Sequence, residues 1–183
     1  MTSILGTQSI QHPNGTSAMT VAADGLVSFG NVKSGNTPCF SATFSSPLNS
    51  QSNNVAVKVR FNATTFNQGG GTFDTSNYRY TPGVAGVYMF GTSVNMKDAG
   101  DNSDYQQQNV AIRKNGSEVF VNRIQMNASL FQSSAYNVPL TVIGLVQMDA
   151  DDYVEVWASV YGGDFDLRPE YSRFYGFKLI GTV

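Results

Sequence analysis

A single cysteine, Cys39, rules out a disulfide within the chain and any metal site assembled from several thiolates. It is expected to be a small buried hydrophobe. Histidine is as scarce: His12 stands alone between turn-prone residues, and a Ser-His-Asp or Cys-His triad would have to use it with no positioned nucleophile nearby. Charged residues are only 13% of the chain and the net charge is -2, so the basic field behind most nucleic-acid affinity is missing and the surface must rest on Asn, Gln, Ser, Thr and Gly. No apolar run is long enough to cross a bilayer as a helix, and the opening MTSILGTQSIQHPNG has no basic n-region. Neither signal peptide nor membrane anchor is therefore expected, and the chain is expected to fold in a cytoplasm. No window carries a 3.6-residue period, which leaves helices out of the reading.

What is present is alternation with a period of two along nearly the whole chain, so the fold class is all-β. Strands are predicted near Ser9 to His12, Ala18 to Val21, Leu26 to Phe29, Cys39 to Phe44, Val55 to Asn62, Tyr78 to Tyr80, Gly86 to Met96, Gln107 to Lys114, Ser117 to Gln125, Asn137 to Met148, Tyr153 to Ser159 and Ser172 to Ile180. Asn14-Gly15, Asp24-Gly25 and Asn115-Gly116 are tight-turn signals, because Asx-Gly pairs accept the positive φ of a type I′ hairpin. Composition shifts near Asn31 to Pro38. Residues 1–37 hold three short strands with too few apolar residues to close a core, and they form an arm that needs a partner surface. Residues 38–183 hold the longer strands, rich in Val, Tyr and Phe, at the spacing of a sandwich or jelly roll.

Five segments in this second region, in order, carry a resemblance. They are Cys39-Phe40-Ser41-Ala42-Thr43-Phe44; Val59-Arg60-Phe61-Asn62 with Asn67-Gln68-Gly69-Gly70; Tyr80-Thr81-Pro82-Gly83-Val84-Ala85-Gly86-Val87-Tyr88-Met89-Phe90; Val110-Ala111-Ile112-Arg113-Lys114-Asn115-Gly116; and Phe174-Tyr175-Gly176-Phe177-Lys178-Leu179-Ile180. The third resembles the Phe-x-x-Pro-x-x-Gly-x-Tyr-x-Phe signature of the C1q-like family, which shares its jelly roll with the tumour necrosis factor family, and the last resembles that family's closing Phe-x-Gly-Phe strand. The resemblance implies a ten-stranded jelly-roll sandwich with a short N-terminal β arm, packed as a homotrimer. One departure stands at Leu145 to Val154, where the family's Leu-x-x-Gly-Asp-x-Val has lost its Gly and kept Asp152-x-Val154. A collagen-like stalk is also missing.

In the arm, Ser9-Ile10-Gln11-His12-Pro13-Asn14-Gly15-Thr16-Ser17-Ala18-Met19-Thr20-Val21 with Asp24-Gly25-Leu26-Val27 resembles an element of phage virion and tail-fibre proteins, those of marine cyanophages especially. That likeness implies virion attachment through Ile10, His12, Asn14, Met19 and Val21. His12 is then a packing or hydrogen-bonding residue, and the expected localisation is the virion, released from the host by lysis. The aromatic stock, nine Tyr, twelve Phe and one Trp, exceeds what one sandwich interior obviously needs, so some of it is expected to face neighbouring subunits.

Chemistry is otherwise thin. Acidic groups cluster at Asp98, Asp101 and Asp104, at Asp149, Asp151 and Asp152, and at Asp164, Asp166 and Glu170, all read as loops with turn-capping carboxylates. Calcium could use such oxygens, but no ligand motif can be matched, so no metal, cofactor or catalytic residue is assigned. Gln68-Gly69-Gly70-Gly71-Thr72 lacks the Lys and helix of a phosphate loop, and the Asn-x-Ser/Thr triplets at Asn14, Asn62, Asn115 and Asn127 carry no meaning without a secretory signal. Gly162 to Tyr171, read as a loop, mixes glycines, aromatic faces and both charge signs. Tyr161, Asp164, Phe165, Asp166, Arg168 and Tyr171 are the candidate glycan- or receptor-binding residues; packing against an adjacent subunit is the competing role. The expected function is a non-enzymatic, trimeric phage tail fibre or tip protein with a head that recognises a host-surface glycan. Its alternatives are a capsid decoration protein, whose arm would grip the shell, and a bacterial carbohydrate-binding module; the unpaired arm argues against the module.

Overall fold

The computed structural model describes residues 9–11, 17–21, 23, 25, 27–29, 37–100, 105–126 and 137–179. Two compact units divide the chain, Met1–Gly35 and Asn36–Val183. In the first, β1 (Ser9–Gln11), β2 (Ser17–Val21) and β3 (Val27–Phe29) form an antiparallel meander whose register puts Ile10, Met19 and Phe29 in one cross-strand row. Gly25, between β2 and β3, takes a φ of 84°, the left-handed value that an Asp-Gly turn asks of its second residue.

The second unit is a sandwich of two antiparallel sheets. Its strands are β4 (Cys39–Thr43), β5 (Leu48–Gln51), β6 (Val57–Lys58), β7 (Ala63–Gln68), β8 (Thr72–Asp74), β9 (Arg79–Thr81), β10 (Gly86–Asp98), β11 (Gln107–Lys114), β12 (Ser117–Gln125), β13 (Asn137–Met148), β14 (Val154–Tyr161) and β15 (Phe165–Lys178). The first sheet runs β13-β10-β15-β4-β7 and the second β12-β11-β14-β9-β8, ten strands in two unbroken orders. The short β5 and β6 add to β15 and β14. Period-two alternation therefore means what it was read to mean: along β10, Tyr88, Phe90, Val94 and Met96 enter the core.

Between the sheets the packing is aromatic. Phe40 stacks on Tyr80 with ring centroids 4.1 Å apart and meets Phe174 edge-on at 4.9 Å; such pairs add roughly 0.5–1.5 kcal/mol each beyond their burial. Glycines make the room. Gly144, Phe90, Gly176 and Phe40 are successive partners across four strands, and a Cβ on Gly176 would overlap the Phe90 ring while one on Gly144 would overlap Phe120 of the opposite sheet. Burial pushes both Tyr80 and Tyr88 hydroxyls up, Tyr88 to about 12, so both rings stay neutral; Tyr88 donates its proton to Val84 O at 2.7 Å.

Three expectations need correction. Val55 to Asn62 is not one strand: only Val57–Lys58 pairs, with β14 in the second sheet, before the chain crosses to pair as β7 in the first. Its alternation survives the crossing because Val59 and Phe61 still enter the core. Cys39 is half-buried on the outer side of the first sheet rather than enclosed, since Phe40 takes the inward position. The segment after Asp164 is not a loop but the start of β15, paired with β10 from Phe165 onward.

Candidate functional site

The candidate recognition residues separate once β15 is in place. Phe165 is 0% exposed and belongs to the core, so it has no face to offer a sugar. The Asp166 carboxylate, also buried, accepts from Ser50 N at 2.8 Å and from Arg168 Nη2 at 2.8 Å. Asp164 accepts from Asn53 N at 2.8 Å, while Gly162 N donates to Asn53 Oδ1 at 3.0 Å. These carboxylates hold the turn after β5 against β15, the capping work expected of Asp, although Asp166 does it from a strand. Tyr161 ends β14 in the second sheet and Tyr171 lies on β15 in the first. The single mixed loop is thus replaced by dispersed positions.

Tyr171 nevertheless stands out. Between Arg168, paired with Asn95, and Arg173, paired with Ser93, β15 carries more residues than its partner and bulges. Buried Ser172 closes the bulge by donating its hydroxyl to Arg168 O at 2.6 Å and accepting from Asn95 N at 2.9 Å. Tyr171 sits on it with a φ of 65° and 73% exposure, a strained backbone holding an aromatic ring in solvent.

Of the arm residues, Met19 and Val21 are half-buried on β2 and Ile10 is on β1, whereas His12 and Asn14 lie outside the described residues. Of the acidic groups, Asp101 and Asp104 also lie outside them. Asp98 accepts from Gly100 N at 2.8 Å. Asp152 accepts from Asp149 N, from Asn115 Nδ2 and from Lys114, whose Nζ is 2.7 Å away. Burial pushes the Asp152 carboxyl up, but these hydrogen bonds and the Lys114 charge outweigh it and hold the group below the usual carboxylate range. Among the described residues no cluster of three or more His, Cys, Asp or Glu is placed to hold a metal ion.

The outer face of the first sheet carries a further surface that no sequence motif marks. Leu145, Met89, Phe177, Cys39 and Gln68 are successive partners across β13, β10, β15, β4 and β7. One step along, Ile143, Gly91, Tyr175, Ser41 and Phe66 form a second row. Neither row contains Lys, Arg, Asp or Glu. Leu145 is 58%, Ile143 54% and Phe66 44% exposed, and an apolar hollow of about 270 Å³ opens among Cys39, Phe66, Tyr175 and Phe177. The signal was in β13: Val138, Leu140 and Val142 alternate with Ile143 and Leu145 in the opposite phase, an apolar run on both faces that only a strand covered on both sides needs.

No family model matches the chain, and no curated protein matches it in sequence. Solved structures do match in fold. A tumour necrosis factor, Eiger from S. frugiperda, superposes with a TM-score of 0.54 at 12% identity, covering 77% of this chain and 91% of its own. The globular domain of zebrafish complement 1qA gives 0.53 at 15%, covering 78% and 98%, and murine APRIL gives 0.53 at 16%, covering 77% and 98%. The chain therefore folds as an all-β jelly roll of the tumour necrosis factor and C1q kind.

Proposed function

We propose that this chain is a homotrimeric bacteriophage virion protein, a tail fibre or tip component whose arm attaches it to the particle and whose jelly-roll head recognises a host-surface glycan by binding rather than catalysis. The carrying observation is the two-row apolar face of the first sheet. A patch this free of charge is seldom left to water on a soluble protein, and self-association covers it with a surface of the same character. The jelly-roll fold supports threefold packing, which the sequence resemblance also implies. The arm's likeness to virion elements supports attachment, and its three short strands, with few apolar residues in the sequence, suit a segment completed by another protein. With several trimers on one particle, weak individual contacts become strong through avidity.

Deleting Met1 to Lys33 and following the protein into particles tests this reading. The truncated chain should remain a soluble trimer and be lost from virions. Normal incorporation, or aggregation of the truncated head, contradicts the division of labour. Labelled protein on the tail would support recognition, whereas label over the shell would favour capsid decoration.

A further inference from the structure

On the outer face of the second sheet, alternate residues of β11 lie away from the core: Val110 and Ile112 belong to the core cluster, whereas Asn109, Ala111, itself only 5% exposed, and Arg113 line a depression. Register places Asn109 between Arg123 of β12 and Ser159 of β14, Ala111 between Val121 and Trp157, and Arg113 between Glu118 and Glu155. A lone methyl at Ala111, flanked by larger side chains, leaves a depression of about 90 Å³.

Its polar groups are fixed in advance. The Arg113 guanidinium lies over the Trp157 ring, 4.4 Å from its centroid, and donates to Glu118 Oε1 at 3.0 Å. Trp157 is itself anchored by its Nε1–H to Glu155 at 2.8 Å, and Lys58 neutralises that carboxylate. Arg123 donates Nε to Asn109 Oδ1 at 2.7 Å, and Asn109 donates Nδ2 to Ser159 Oγ at 3.2 Å. These bonds leave the two terminal nitrogens of Arg123 and the hydroxyl proton of Ser159 without partners among the described residues. Both of these groups are donors. With Arg113, Arg123 and Glu118 in the lining, the depression carries one net positive charge on a chain of net charge -2.

We infer that this depression binds the carboxylate of an acidic sugar, such as a uronate in a surface polysaccharide. Arg123 offers a planar two-donor edge that matches a carboxylate, and Asn109 removes the freedom it would otherwise lose on binding. A single net charge suits a monoanion, since Glu118 would oppose the second charge of a phosphate monoester. The volume, about that of three liquid waters, admits the carboxylate and the carbons next to it while the ring stays at the rim. The carboxylate assignment stands on this geometry, and the sugar assignment rests on the proposed glycan recognition.

Trp157 is the only tryptophan in the chain, so its fluorescence reports on the site. Titration of the full chain with methyl glucuronide, methyl glucoside, acetate and inorganic phosphate should give a saturable change with the glucuronide. Acetate should bind more weakly and the glucoside not at all. Arg123→Gln, an exposed change on an edge strand, should weaken glucuronide binding about tenfold or more with an unchanged melting temperature. No response to the glucuronide, tighter binding of phosphate, or an unaffected Arg123→Gln protein overturns the carboxylate site. Equal binding of acetate and glucuronide overturns the sugar assignment. Adsorption of parent particles separates this inference from the wider reading: if the parent protein fails to bind glucuronide yet adsorption to cells stays glycan-dependent, only the inference falls.

Discussion

The ring of Tyr175 lies across the backbone of Gly91, so close that a Cβ at position 91 would stand 2.5 Å from its Cζ. That contact lies within the second apolar row, on the outer face of the first sheet. The neighbouring residue in β15, Gly176, does the corresponding job inside, leaving room for Phe90.

These two glycines should therefore respond differently to substitution. Gly91→Val pushes first against the far end of Tyr175, which can swing outward, so the head should fold while its self-association weakens. Gly176→Ala pushes against Phe90 and the Met89 carbonyl inside the core, and should lower stability by about 1–3 kcal/mol. Size-exclusion chromatography and urea unfolding on both variants separate the effects.

Most of the sandwich was legible because its strands are amphipathic, and the Phe174-Tyr175-Gly176-Phe177 stretch can now be explained residue by residue. Phe174 enters the core, Tyr175 covers Gly91, Gly176 clears space for Phe90, and Phe177 joins the outer row. The site was less legible. Glycine, Asp, Pro and an exposed Tyr between Gly162 and Tyr171 carry the composition of a loop, yet long-range pairing with β10 draws them into a strand. Local composition cannot report a partner from a distant part of the chain. Neither could it report that Ala111, ordinary by itself, faces Trp157 and Val121 across two ladders.

Phe165 and Tyr171, once grouped by sequence, should part company in experiment. Phe165→Ala opens a cavity in the core and should reduce stability by about 3–5 kcal/mol. Tyr171→Gly removes an exposed ring and relieves a left-handed backbone, so stability should hold or rise slightly. If Tyr171 contacts a host glycan, adsorption should fall in the second variant alone. Equal adsorption by Tyr171→Gly and parent particles would remove Tyr171 from the recognition surface.

Acid should weaken the turn end of the second sheet. Because the Asp152 carboxyl is held below its ordinary value in the folded head, its ionised form favours folding. That contribution is fully present above the unfolded carboxylate range, near pH 4, and is lost as pH falls through the lower folded value. Asp152→Asn should flatten the acid limb of a plot of melting temperature against pH and lower the plateau at neutral pH, where Lys114 loses its charged partner. An acid limb as steep as the parent's would assign the loss to other groups.

The mass of the full chain in solution tests the central claim. Light scattering at micromolar concentration should give three times 19.8 kDa. The double variant Ile143→Ser, Leu145→Ser, which makes the outer rows polar and leaves the core untouched, should shift that mass toward one chain. A parent protein with the mass of a single chain, its apolar rows open to water, would contradict the account.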